Sequence, residues 1–191
     1  MLLVACHYHP AAPGRDRVHA YQETSSMMAK ETAVMFARYS DWADRVLFKA
    51  IQGLPEGAAH KATRTLFGSM IGTLNHNYQV DLIWRAHLLG EEHGFTTRRD
   101  LLHPDLAGLV KAQSEVNQWF IDWATKQDAE SLAERVAFNF VSGQPGEMTR
   151  GAILLHVVNH KTYHRGWVSE MFFDFGVKPP ETDLSVFLCG G

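Results

Sequence analysis

Histidines 156, 160 and 164 recur at a strict spacing of four within Leu155–Gly166, and this ladder constrains the chain more than any other stretch. A four-residue step on an α-helix turns through roughly 400°, so each imidazole lies about 40° round from the one before. All three therefore share one stripe. Around them stand Ile153, Leu154, Val157 and Val158, then Trp167, Val168, Met171 and Phe172. A helix this apolar is buried over much of its circumference, and imidazoles drawn into a core need partners. Two histidines at i, i+4 can share one cation. They fill only part of its coordination shell, so a metal site needs at least one further ligand from elsewhere in the chain. The ladder thus calls for a facing element that carries a ligand.

Apolar periodicity places four long helices. The first runs from about Ala29 to Gln52, where Phe36, Tyr39, Ala43, Val46, Leu47, Ala50 and Ile51 recur at steps of three and four; Gly53 and Pro55 end it. Asp41, Asp44, Arg45 and Lys49 fall between these and read as its solvated face. The second fits about Thr65 to Leu89, with Ile71, Leu74, Tyr78 and Leu82 as its core stripe and His76, Val80, Ile83 and His87 beside it. Glu91 to Asp100 is a loop. Pro104 suits the first turn of the third helix, which continues to about Lys126. The period then changes to two at Val136, Phe138 and Phe140, and Ser142–Gly146 is a turn, which predicts a small hairpin. Thr149 is placed as the N-cap of the fourth helix, which carries the ladder and ends near Phe175-Gly176. The apolar tail 183–188 is expected to dock. Four helices, each with one apolar face, predict an all-α fold: a four-helix bundle with a small β-hairpin between helices three and four.

The chain has 191 residues, enough for one domain with a sizeable core, and 46% of them are hydrophobic. Residues 1–27 show no sustained period and read as an N-terminal extension, with an upstream start codon as its source; residues 28–191 form the bundle domain. The formal net charge of -3, with no basic cluster, argues against nucleic acid as a partner. No run of about 18 apolar residues exists to span a membrane. The opening Met1–Cys6 lacks the basic and apolar regions of a leader. Two cysteines near opposite ends make no framework, which fits a reducing cytoplasm. Surplus apolar side chains on helix four (Trp167, Met171, Phe172, Phe173 and Phe175) point to a homodimer.

Most familiar metal and hydrolase motifs are absent. There is no Glu-x-x-His for a di-iron bundle, no His-Glu-x-x-His and no Cys-x-x-Cys for zinc, no Gly-x-Ser-x-Gly for a serine hydrolase, and no phosphate loop. A mononuclear, all-histidine centre remains. His76, mid-bundle and near the apolar stripe, is the best third ligand; His87 falls near the bundle's end, and His60, His93 and His103 are in loops. Spacing alone leaves open whether the pair is 156/160 or 160/164.

Several motifs together resemble one family. Tyr39-Ser40-Asp41-Trp42-Ala43-Asp44 looks like the Tyr-Asn-x-Trp-Ala-Asn signature of DinB-like (damage-inducible, YfiT-type) proteins. Leu74-Asn75-His76 followed by Asp81-Leu82-Ile83-Trp84 is similar to their second-helix pattern. His160-Lys161-Thr162-Tyr163-His164-Arg165-Gly166 is similar to their His-x-x-x-His-Arg-Gly motif, and Pro179-Pro180-x-x-Asp183 to their usual ending. The resemblance covers roughly residues 28–188. It departs at Ser40 and Asp44, where asparagine is usual, and at Trp167, where glutamine is common.

The resemblance implies a metal triad of His76, His160 and His164, with His156 one turn further along as a supporting or packing residue. It also implies a metal-dependent enzyme acting on a small molecule, as a hydrolase or as a transferase of a low-molecular-weight thiol such as bacillithiol or mycothiol. Three imidazoles suit nickel, zinc, iron or manganese. No general base stands out: Asp81 reads as structural, holding the N-terminus of another segment or pairing with an arginine such as Arg165, and Tyr163 as packing. The competing expectation is a non-catalytic metal-binding stress-response or dimerisation module. A fourth protein ligand and a sealed core would favour it.

Overall fold

The computed structural model describes residues 28–190; the extension expected at the N-terminus lies outside them. Four long helices, α1 (Lys30–Gln52), α2 (Met70–Leu89), α3 (Leu106–Thr125) and α5 (Arg150–Phe172), form the bundle. Two short α-helices, α4 (Ala129–Ala133) and α6 (Leu184–Leu188), and two 3-10 turns, Ala58–His60 and Phe173–Phe175, join them among the described residues. Strands β1 (Arg135–Asn139) and β2 (Pro145–Thr149) pair antiparallel between α4 and α5, with Arg135 opposite Thr149 and Phe138 opposite Gly146. Packing is closest between α1 and α3 and between α2 and α5. The predicted bundle and hairpin are both present.

Local chemistry explains the boundaries. Helix α2 begins at Met70, five residues later than its apolar pattern predicts. Gly68 takes a left-handed φ of 73°, which a side chain would resist, and its carbonyl accepts from the Thr63 amide. Ser69 then caps the helix, its hydroxyl accepting from the Gly72 amide at 3.1 Å. Pro104 is not in the first turn of α3. It precedes Asp105, whose carboxylate accepts from the Gly108 amide and serves as the cap. Thr149 caps α5 as predicted. The α4 turn, absent from the sequence reading, is set by a capping box in which Asp128 and Ser131 satisfy each other's amides.

Two apolar clusters fill the core. One gathers Ala43 of α1, Val80 and Trp84 of α2, Val116 and Phe120 of α3, Phe138 of the hairpin, and Leu154, Val157 and Val158 of α5. The other gathers Leu47, Ile51, Ile71, Leu74, Leu109, Val168 and Phe172. Between them, on all four helices, the inward positions are polar: Asp44, His76, Asp81, Gln113, Asn117, Lys161, His164 and Arg165 are all buried. The core is two apolar blocks with a polar layer across the bundle.

The C-terminal tail docks. Phe187 of α6 packs on Tyr39 and Trp42, and the Tyr39 hydroxyl donates to the Thr182 carbonyl at 2.9 Å. The apolar surplus expected on α5 is smaller than the sequence suggests. Met171 and Phe172 are core residues and Phe175 packs against the second cluster, leaving Phe173 exposed. No helix among the described residues is long and apolar enough to cross a membrane.

Candidate metal centre

Helices α2 and α5 meet in the polar layer with their histidines toward each other. His76 of α2 and His160 and His164 of α5 each offer one ligand atom, and these atoms lie within 4.8 Å of one another. The Nε2 atoms of His76 and His160 are 3.2 Å apart. Two nitrogens bound at ~2.0–2.1 Å to one cation stand roughly 3–4 Å apart, so the His76–His160 pair is already spaced for a shared ion, and the widest separation in the trio would have to shrink by on the order of an ångström. Among the described residues no fourth histidine, cysteine or carboxylate joins the group.

The protonation states fit as well. His76 Nδ1 is 2.7 Å from the Arg98 carbonyl. A carbonyl only accepts, so Nδ1 carries the proton and Nε2 keeps its lone pair toward the other two rings. Burial pushes all three imidazoles toward neutrality: His76 and His164 fall from 6.5 to about 4, and His160, which also feels both neighbours, falls to about 2. Neutral imidazole is the ligating form. The Nδ1 atoms of His160 and His164 are buried with no hydrogen-bond partner among the described residues. Buried, unpaired ring nitrogens are costly in a bundle that needs them only for packing.

The other histidines go elsewhere. His156 packs its ring on Trp84, with centroids 4.8 Å apart, in the packing role expected of it. His87 meets Trp84 and His93 edge-to-face and lies tilted against Phe138 at the hairpin end. His60 bonds the Pro104 carbonyl at 2.7 Å, and His93 Nδ1 accepts from the Phe95 amide. The His103 backbone is held by Asn75.

Phe67, in the loop before α2, stacks on His76 with centroids 4.1 Å apart and meets His164 and Trp167. Tyr163 packs its ring beside Trp167 and His164, as expected of it, while staying 60% exposed.

Behind the histidines lies an ion cluster that the sequence reading missed. Lys161, 1% exposed, reaches Asp44 at 2.5 Å and Asp81 at 3.0 Å and donates to Asn117 at 2.7 Å. Gln113 donates to Asp81 and to Asn117. Arg165 lies 3.6 Å from Asp44 and donates to the hydroxyls of Tyr39 and Thr162. Asp44 is therefore not on a solvated face, and Asp81 pairs with Lys161 rather than Arg165. Burial alone would strip the lysine of its proton, but Asp44 and Asp81 outweigh it and hold Lys161 protonated. Burial raises the Asp81 carboxyl above its ordinary range. Because Lys161 and Arg165 each follow a histidine, this cluster fixes the rotation of α5 that turns His160 and His164 toward α2.

A bundle whose polar layer converges three neutral imidazoles from two helices is, as a class, an all-α protein with a candidate mononuclear three-histidine metal site. The chain belongs to the DinB family, whose sequence profile matches residues 27–189. It is 29% identical over 161 residues to Protein DinB of Bacillus subtilis (strain 168), covering 78% of this chain and 90% of that protein. Its fold is shared with the crystal structure of a DinB-like protein from Bacillus cereus ATCC 10987. That match has a TM-score of 0.55 at 15% identity, over 76% of this chain and 94% of the other.

Proposed function

We propose that this protein is a mononuclear metal-dependent enzyme that holds a divalent transition metal on His76, His160 and His164 and acts on a small organic molecule. The observation that carries the reading is a three-imidazole cluster, drawn from two helices, with no fourth protein ligand among the described residues. Structural zinc sites are generally closed by four protein ligands, whereas catalytic sites keep a position open. A divalent cation there would supply a water of pKa near ~7, or a thiolate, at neutral pH. That chemistry underlies both a hydrolase and a low-molecular-weight-thiol transferase.

The chain's own residues prepare the site. Burial keeps the imidazoles unprotonated, the Arg98 carbonyl orients His76, and Phe67 shields one ring face from water. Imidazole suits nickel, zinc, iron and manganese alike, and availability chooses among them. Within this proposal the protein acts as a homodimer, with the exposed Phe173 available to the interface.

Elemental analysis of untagged protein, followed by thiol-transfer and hydrolysis assays on metal-loaded and chelator-stripped samples, tests the reading. One equivalent of metal per chain, and an activity lost on stripping and restored on reloading, is the expected result. A bound metal whose cobalt-substituted form shows four protein nitrogens or oxygens and no exchangeable ligand would instead identify a non-catalytic module.

A further inference from the structure

The loop after α2 is fastened to that helix with unusual care. Three buried side chains of α2 bind it. The Asn75 amide brackets the backbone of His103, and His76 donates to the Arg98 carbonyl. Gln79 donates to the Thr97 carbonyl and accepts from the Asp100 amide. Asn75 and Gln79 are 1% and 0% exposed, so this stretch is set by core residues. What the loop carries between those anchors is Arg98 and Arg99, both exposed.

Neither guanidinium has a carboxylate within ion-pair reach among the described residues. The nearest acid in the loop, Asp100, is turned to the Gln79 amide at 2.7 Å. Arg98 is tied through its own carbonyl to a histidine of the metal cluster. Its charge is felt at both His76 and His160, and that of Arg99 at His76. On the histidines themselves, Phe67 stacks against His76 and reaches Trp167. A loop held rigid by its backbone, with two free cations beside an open site, is arranged to receive an anion.

We propose that the substrate or thiol taken at the three-histidine site carries a carboxylate, and that Arg98, aided by Arg99, is the residue that binds it. The inference rests on the open-site reading above. A carboxylate accepts two parallel bonds from a guanidinium and so fixes the molecule's orientation as well as its affinity, which a lysine would do less well.

The test uses two thiols of matched length, mercaptopropionate and mercaptopropanol, titrated into cobalt-loaded full-length protein. Binding is followed by the thiolate-to-cobalt charge-transfer band, the thiol proton passing to buffer. Wild type is expected to bind the carboxylate thiol roughly tenfold more tightly than the alcohol. That ratio falls toward one in Arg98→Gln, and Arg98→Lys keeps part of it. Raising ionic strength erodes the wild-type preference, a readout that needs no variant to fold. Equal affinities in wild type, or a preference that survives both Arg98→Gln and the Arg98→Gln/Arg99→Gln pair, overturns the inference and leaves the open site standing. If neither thiol perturbs the cobalt spectrum, the coordination shell is closed, and the proposed function falls together with this inference.

Discussion

His160 is the residue on which the site turns. It lies between His76 at 3.2 Å and His164 one turn on, with ring centroids 4.5 Å apart, and it has the most depressed proton affinity of the three. His160→Ala is therefore expected to abolish stoichiometric metal binding, whereas His87→Ala, at the hairpin end, should leave it intact. Metal-to-protein ratios after dialysis check this, and equal loss from both would refute the assignment. His156→Ala belongs with the second class: its cost is the lost contact with Trp84, visible in stability rather than in metal content. The stripe of histidines was legible because spacing on a helix maps directly to direction, and the family resemblance chose the pair. The Arg98 carbonyl was not legible, since a backbone acceptor leaves no mark in the sequence and only folding brings it to His76. The free guanidiniums beside it were hidden for the same reason: a loop read as polar punctuation shows its function only once its anchors are known.

At the scale of elements, the helices are joined through charges as well as apolar packing. Lys161→Met would leave Asp44 and Asp81 buried without their shared cation, since only the more distant Arg165 remains near Asp44. Breaking a buried pair from one side costs about 3–5 kcal/mol, and urea unfolding should show a loss of that order. Adding Asp81→Asn removes one of the stranded charges and should recover part of it, a coupling expected between contacting groups. The hairpin offers a second case. A Cβ on Gly146 would lie 2.7 Å from the Phe138 ring, which is itself wedged against Trp84. Gly146→Ala should therefore cost about 1–3 kcal/mol by overpacking, measured the same way. The hairpin's existence followed from its period-two pattern. The ion cluster did not follow from any pattern, because apolar periodicity reads every charged residue as outward. Asp44 breaks that rule only because Lys161, on another helix, meets it inside.

For the whole molecule, the polar layer makes stability depend on pH in a direction that can be worked out. In the folded, metal-free protein His76 and His164 protonate near about 4 and His160 near about 2, against 6.5 for an ordinary histidine. Below 6.5 the unfolded chain takes up protons that the folded chain refuses, so unfolding is favoured as pH falls. Each such proton contributes a slope of about 1.4 kcal/mol per pH unit. The stability is thus fully present above about pH 7 and drains away from 6.5 down to about 4 for His76 and His164 and on to about 2 for His160, with His87 and His156, also depressed by burial, adding to the trend. Asp81 works the other way, its raised carboxyl gaining a proton in the folded state first, but it is one group against several. Chelator-treated protein should show urea midpoints that fall steadily from pH 6.5 to 4.5, and His160→Gln should flatten the slope. A metal that binds only the folded chain adds stability in proportion to the logarithm of its concentration. Protons compete for ordinary imidazoles already near 6.5, yet these imidazoles stay free to nearly 4. The metal's stabilisation should accordingly persist at pH 5, where binding by the unfolded chain has been lost. A thermal shift on adding zinc that is as large at pH 5 as at pH 7 is the expected outcome; a shift that vanishes by pH 6 would mean that the histidines are ordinary and the layer is not the dry, pre-arranged site its geometry describes.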